Sequence, residues 1–195
     1  MAILILGIIL FIGTHSIRIV APGLRAAMIE KIGLRGWRGL YSLASILSVV
    51  LLVWGFATAP VVNVWFPPVW TAHLAVTLML LAMVCLVAGS VPAGHIATKT
   101  KHPMVLSVKI WATAHLLANG DLASILLFGA FLAWGVVMRI SLKRRERAGE
   151  AVLRPFVSAR YDLQAIVVGV VIWLAFLLKL HEWLIGVAPI PAMSL

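Results

Sequence analysis

Between Gly39 and Thr98 the chain runs for 60 residues without one Lys, Arg, Asp or Glu. A soluble domain carries about a quarter charged residues, so a gap of this length cannot lie along a water-facing surface. At about 20 apolar residues per bilayer crossing it holds two spans. Breaks at Pro60, Pro67-Pro68 and Pro92-Ala93-Gly94 separate them. The whole chain of 195 residues is 63% apolar and only 11% charged. That balance excludes an ordinary soluble enzyme, a disordered tail and a nucleic-acid binder.

The hydropathy pattern predicts an all-α, polytopic transmembrane bundle of six helices, at about 2–20, 39–59, 71–93, 104–119, 121–141 and 162–186. The net charge of +10 is unevenly spread. Arg18, Arg25, Lys31, Arg35 and Arg38 flank the first connection, Lys99 and Lys101 the third. Arg139, Lys143, Arg144, Arg145, Arg147, Arg154 and Arg160 cluster around the fifth. The connections at 60–70 and 119–121 hold no basic residue. By the positive-inside rule the basic connections are cytoplasmic and both termini periplasmic, in a multi-pass protein of the inner membrane. Arg18 and Arg25 follow the first apolar run rather than precede it, so that run reads as a span and not as a cleaved signal. The single cysteine, Cys85, permits no internal disulfide. Trp65, Trp70 and Trp183 suit an interfacial belt, whereas Trp54, Trp111, Trp134 and Trp173 are expected to pack deeper.

Ionisable groups inside spans point to function, because burying them in lipid is costly. The set is His15, His73, Lys109, His115, Asp121, Asp162, Lys179, His181 and Glu182. Neutral imidazole is the cheapest of these to bury and the commonest metal ligand. Depth divides the six histidines into an inner group (His15, His95, His102) and an outer group (His73, His115, His181), with His15 and His115 farthest from either interface. His15 lies about 7 Å short of the inner end of its helix. His102 precedes Pro103 and reads as an interfacial cap, and His95 and His73 have equally plain interfacial readings. In Asn119-Gly120-Asp121, Gly120 is expected to end one helix in a left-handed conformation and Asp121 to cap the next. Asn119, one turn beyond His115, is placed to orient its imidazole. Lys109, about 10 Å inside its helix, can snorkel or pair with an anion such as a haem propionate. Lys179 and Glu182 are spaced to pair, and the run from Lys143 to Glu150 reads as a solvated or headgroup-facing segment.

No Walker A loop, Gly-x-Gly-x-x-Gly, His-Glu-x-x-His or Cys-x-x-Cys-His motif is present. Carboxylates are too few for a proton relay, and no inverted pair of broken helices suggests a transporter.

The run Lys101-His102-Pro103-Met104, then Trp111 to Asp121 (WATAHLLANGD), then Leu127 to Trp134 (LFGAFLAW) resembles the NnrU family. Gly7, Phe11 and His15-Ser16 fit the family's opening, and His181 with Trp183 to Gly186 fits its end. The resemblance spans nearly the whole chain, as one membrane domain over 1–195. It departs at Lys101, where Arg is usual, and at Ser107, where Gly is frequent. The family takes its name from genes needed for nitrite and nitric oxide reduction in denitrifying bacteria. It is similar to the plant 15-cis-zeta-carotene isomerase, which uses haem b. The resemblance therefore implies a non-covalent haem b held by the bundle, with His15 and His115 as iron ligands and Lys109 and Asn119 beside the cofactor. It also implies a partner that is nitric oxide or a small hydrophobic substrate such as a polyene. The His-Pro start of the fourth helix and the charged stretch after the fifth also resemble membrane methyltransferases of the isoprenylcysteine carboxyl type. That alternative implies S-adenosylmethionine near Glu146, Glu150, Arg154 and Tyr161.

Overall fold

A computed structural model describes residues 1–150 and 153–190, and among them every regular element is helical. The helices are α1 (Ala2–Val20), α2 (Pro22–Ala57), α3 (Val69–Ser90), α4 (His95–Thr100), α5 (Pro103–Ala118), α6 (Leu122–Arg147), α7 (Arg160–Ala175) and α8 (His181–Ile185). A π-helical turn, Phe176–Leu180, joins α7 to α8. Five helical segments are long and apolar enough to cross a membrane: α1, α2, α3, α6, and α7 continued through α8. The sixth expected span, α5, has 16 residues and is shorter than a full crossing requires.

Spatial neighbours run α2, α1, α6, α5, α3, α7. The surfaces between them are built from small residues. Ala75, Ala82, Ala88, Ala112, Ala114, Ala123 and Ala165 are buried, whereas Ile9, Val53 and Leu163 are more than 60% exposed and face outward. Lipid supplies no hydrophobic drive between helices, so close backbone approach and interhelical hydrogen bonds hold them together. Ser107 donates to the Ala82 carbonyl at 2.7 Å, and the Trp173 indole donates to the Val76 carbonyl at 2.9 Å. Trp54, expected to pack between helices, is 55% exposed and turned outward.

The segment 22–38, expected to be a connection, is helical. Pro22 opens α2 at a position where its missing N–H is harmless, and Gly33, with φ 72°, kinks the helix between a short first part and the long apolar second part. The basic residues suggested a loop. Yet Leu24, Met28 and Ile32 recur every four residues among them, the pattern of a helix lying along the membrane surface. The charged run after 141 is likewise helical as far as Arg147. Beyond Pro92 the turn α4 intervenes before α5.

The basic connections meet at one end of the bundle. There Lys101 pairs with Glu146 (2.8 Å), Arg154 donates to the carbonyls of Ala88, Gly89 and Val91, and Asp162 accepts from the amides of His95 and Ile96. At the other end the 60–68 segment meets the α5–α6 hairpin. Val64 donates to the Gly120 carbonyl at 2.9 Å, and Leu122 to that of Val62 at 2.8 Å. Met1, Phe56 and Ala59 pack against Leu4, Leu52 and Ala123 toward this end, which carries no basic residue in its connections.

Asp121 caps α6 by accepting from Ser124 N at 2.9 Å, as its position predicts. The glycine before it acts differently from expectation. Asn119 ends α5 in an extended conformation, and Gly120 is not left-handed. A Cβ on Gly120 would instead collide with the carbonyl oxygen of Trp65. Glycine is needed there for close approach, not for a turn.

Candidate functional site

Three histidines place Nδ1 on a backbone carbonyl, His15 and His115 on the residue four before and the more exposed His181 on the residue six after. His15 Nδ1 lies 2.8 Å from the Phe11 carbonyl, His115 Nδ1 2.9 Å from the Trp111 carbonyl, and His181 Nδ1 2.7 Å from the Val187 carbonyl. A carbonyl only accepts, so in each ring Nδ1–H donates and the lone pair of the neutral imidazole sits on Nε2. An imidazole fixed in this way is prepared to bind a metal or accept a proton at Nε2.

An aromatic series connects these rings. His15 stacks on Phe11 (ring centres 4.0 Å apart), Phe11 meets Phe131 at 5.0 Å, and Phe131 meets Trp111 edge-on at 5.4 Å. Trp111 and Phe128 flank His115 at 5.3 and 4.5 Å, and His115 lies 6.4 Å from His181 with nearly parallel planes. Two levels result. His15 meets α6 at Trp134 and α2 at Tyr41, whereas His115 meets α6 at Phe128. Those α6 positions are six residues apart, about 9 Å along the axis.

The bundle therefore brings His115 to His181 rather than to His15. The π turn at 176–180 immediately precedes His181, where one extra residue per turn resets the direction of the side chains that follow. Lys109 lies at the level of His15: its stem covers Gly135, where a Cβ would come within 2.6 Å of Lys109 Cγ. Asn119 lies at the level of His115, and its amide donates to the His115 backbone carbonyl at 2.8 Å, while the imidazole is held by Trp111. Beside His15 the Trp134 indole N–H is buried without a partner among the described residues. Trp134 and Tyr41 are site residues that sequence reasoning assigned to packing or passed over. The spacing of Phe11 and His15, four apart on one helical face, was the available signal.

The other histidines stand near the starts of their helices. His73 is exposed, and His95 stacks on Phe156 at 4.4 Å. His102 occupies the N-cap position of α5, but its imidazole Nε2 reaches Glu146 at 2.8 Å. Glu146 also accepts from Lys101 at 2.8 Å and Arg139 at 3.3 Å. Hydrogen bonds from Lys101 and then His102 hold its carboxyl at about 2, well below the usual value of 4.5. A carboxylate with a depressed pKa stabilises the fold above its unfolded value and loses that contribution as pH falls through the folded one. The melting temperature of the purified protein is thus expected to decline between pH 4.5 and about 2. In Glu146→Gln that part of the decline disappears, and thermal scans across this range measure it. With Glu146 held by Lys101, His102 and Arg139, Arg154 bonded to three carbonyls and the Tyr161 hydroxyl bonded by Arg160 at 2.8 Å, three of the four residues of the methyltransferase alternative have partners within the protein.

Among the described residues no group of three or more His, Cys, Asp or Glu side chains could hold a metal ion. No curated protein and no solved structure matches the chain. The family model described as NnrU protein matches residues 3–189, which is nearly the entire length. The chain is a membrane protein of the NnrU family.

Proposed function

We propose that this protein holds haem b within the cytoplasmic membrane through neutral histidine, with His115 as one iron ligand, and that it serves nitrite and nitric oxide reduction. The observation that carries the haem reading is the shared geometry of His15, His115 and His181, each with Nδ1 bonded to a carbonyl and Nε2 free. The donor chemistry fits, since haem iron takes neutral imidazole and needs only one or two protein ligands. His181, whose ring centre is 6.4 Å from that of His115, is the histidine that would supply a second imidazole beside it. His15 is the other partner for His115 and requires the levels to shift. Lys109 is the cation for a propionate, and Asn119 fixes the backbone that carries His115.

Bound haem supplies an iron that can take nitric oxide or act on a conjugated double bond. The residues around it exclude water: Phe11, Trp111, Phe128 and Phe131 form an apolar aromatic wall. The unpaired Trp134 N–H offers one donor to a bound acceptor. The link to nitric oxide rests on the family. A polyene isomerase is the second reading, favoured by this apolar interior.

The test is the absorption spectrum of protein expressed with ample haem and purified in mild detergent. A Soret band is expected in the parent and is lost in His115→Ala. Loss in His181→Ala with retention in His15→Ala selects the pair that the fold joins, and the opposite result selects His15. A band unchanged in all three, in variants with normal size-exclusion profiles, ends the haem reading. A Soret shift on adding nitric oxide, without conversion of a cis-polyene, separates the first function from the second.

A further inference from the structure

At the basic end of the bundle a cleft of about 690 Å³ opens between the end of α1, the start of α2 and the inner part of α6. Its α6 wall is a single stripe: Val137, Ile140, Ser141 and Arg144 lie at i, i+3, i+4 and i+7, on one helical face. The stripe passes from apolar to cationic over seven residues, about 10 Å. Ile19 continues the apolar part from α1, and Arg18 and Arg145 complete the cationic part.

Arg18, Arg144 and Arg145 belong to no ion pair among the described residues, unlike Arg139, Lys101 and Lys179. Glu150 at the rim is the cleft's one carboxylate and leaves the lining with an excess of two positive charges. Three guanidinium groups sharing a single carboxylate, above an apolar floor at a membrane surface, match an anion attached to a hydrocarbon chain. Guanidinium binds phosphate oxygens in a two-pronged geometry, and the floor accepts the first carbons of an acyl chain.

We infer that this cleft binds a membrane phospholipid with a net negative headgroup, its phosphate between Arg18, Arg144 and Arg145 and its chain along Val137 and Ile140. The headgroup hydroxyls of a phosphatidylglycerol can donate to Glu150, whereas a bulky trimethylammonium cannot.

Native mass spectrometry of the full chain in detergent tests this, with phosphatidylglycerol and phosphatidylcholine added at equal concentration. Phosphatidylglycerol is expected to bind about tenfold tighter, and Arg18→Gln/Arg144→Gln to remove that preference. The charge-matched pair Lys143→Gln/Arg147→Gln, from the same helix end but outside the cleft, keeps it. Ile140→Trp fills the floor without altering any charge and is expected to lower phosphatidylglycerol binding as well, which keeps the test decisive if the arginine variant does not fold. Equal binding of the two lipids, or an equal loss in the charge-matched pair, overturns the proposal. So does displacement of the lipid by soluble glycerol phosphate at the same concentration, which would make the occupant a free phosphate ester.

Discussion

Replacing Gly55 by Leu is expected to abolish the monodisperse folded protein, and Gly55→Ala to lower its melting temperature by about 5 °C. The α1–α2 contact is backbone against backbone. A Cβ on Gly55 would collide with the main chain at Leu4, and one on Gly7 would come within 2.8 Å of Leu52 N. Leu4, Gly7, Leu52 and Gly55 are all buried along this line. Any added side chain must push the helices apart, and overpacking of this kind costs about 1–3 kcal/mol even where neighbours can adjust. Here the neighbour is a helix backbone, which cannot turn aside as a side chain can. Within lipid the lost contacts are not replaced by a hydrophobic force. Gly13, on α1 with nothing near its Cβ position, is the control. Gly13→Ala should hold or slightly raise the melting temperature, because alanine is the better helix former. Size-exclusion profiles and thermal scans of the variants in one detergent read the difference. A Gly55→Leu protein that melts with the parent would show that α1 and α2 are not held by this contact.

That the chain is an all-helical bundle of long apolar helices was legible in the sequence and the rotation of the helices was not, for related reasons. Arg and Lys pay for exclusion from lipid wherever the helices pack, so the basic residues alone group the connections at 21–38, 95–102 and 139–160. The structure joins the second and third of these through Lys101, Arg154 and Asp162, and Pro22 of the first lines one cleft with Arg144 and Arg145. Asp121 was equally readable, since its cap uses an amide three residues away. The partner of Gly120 was not, because Trp65 lies in a distant segment. For the histidines, the sequence gives depth along each helix but not direction around it. A helix that is apolar on all sides has no polar face to orient it. His115 and His181 were placed in the same outer group by depth. That they face each other depends on the π turn before His181 and on the packing of α5 and α7 against α3. The surface helix at 22–32 was obscured because its charges resemble those of a loop, although its apolar spacing was present.

Replacing Asp162 by Ala is expected to release the 89–100 turn and expose the chain at Lys99 and Arg160 to trypsin, with cleavage at least about tenfold faster. Asp162, in the first turn of α7, accepts from His95 N at 2.7 Å and Ile96 N at 2.8 Å. These amides belong to the first turn of α4, where no partner exists within the helix. Gly94 precedes them because a Cβ there would collide with the carboxylate. From the other direction, Arg154 fills the last carbonyls of α3 and Val157 N donates to the Ala93 carbonyl at 2.8 Å. Segments 89–96 and 154–162 thus hold each other through charge-assisted bonds, each contributing about 1.5–3 kcal/mol before interfacial water weakens it. Opening free energy governs proteolysis when reclosing is fast, so loss of both Asp162 bonds should multiply the cleavage rate by the factor stated. Asp162→Asn keeps one acceptor oxygen and should fall between parent and Ala. Inside-out vesicles present the basic end to trypsin if it is cytoplasmic, and right-side-out vesicles protect it. Equal cleavage of parent and Asp162→Ala would remove Asp162 from its bracing role, while cleavage at Arg160 only in right-side-out vesicles would reverse the orientation assigned by charge.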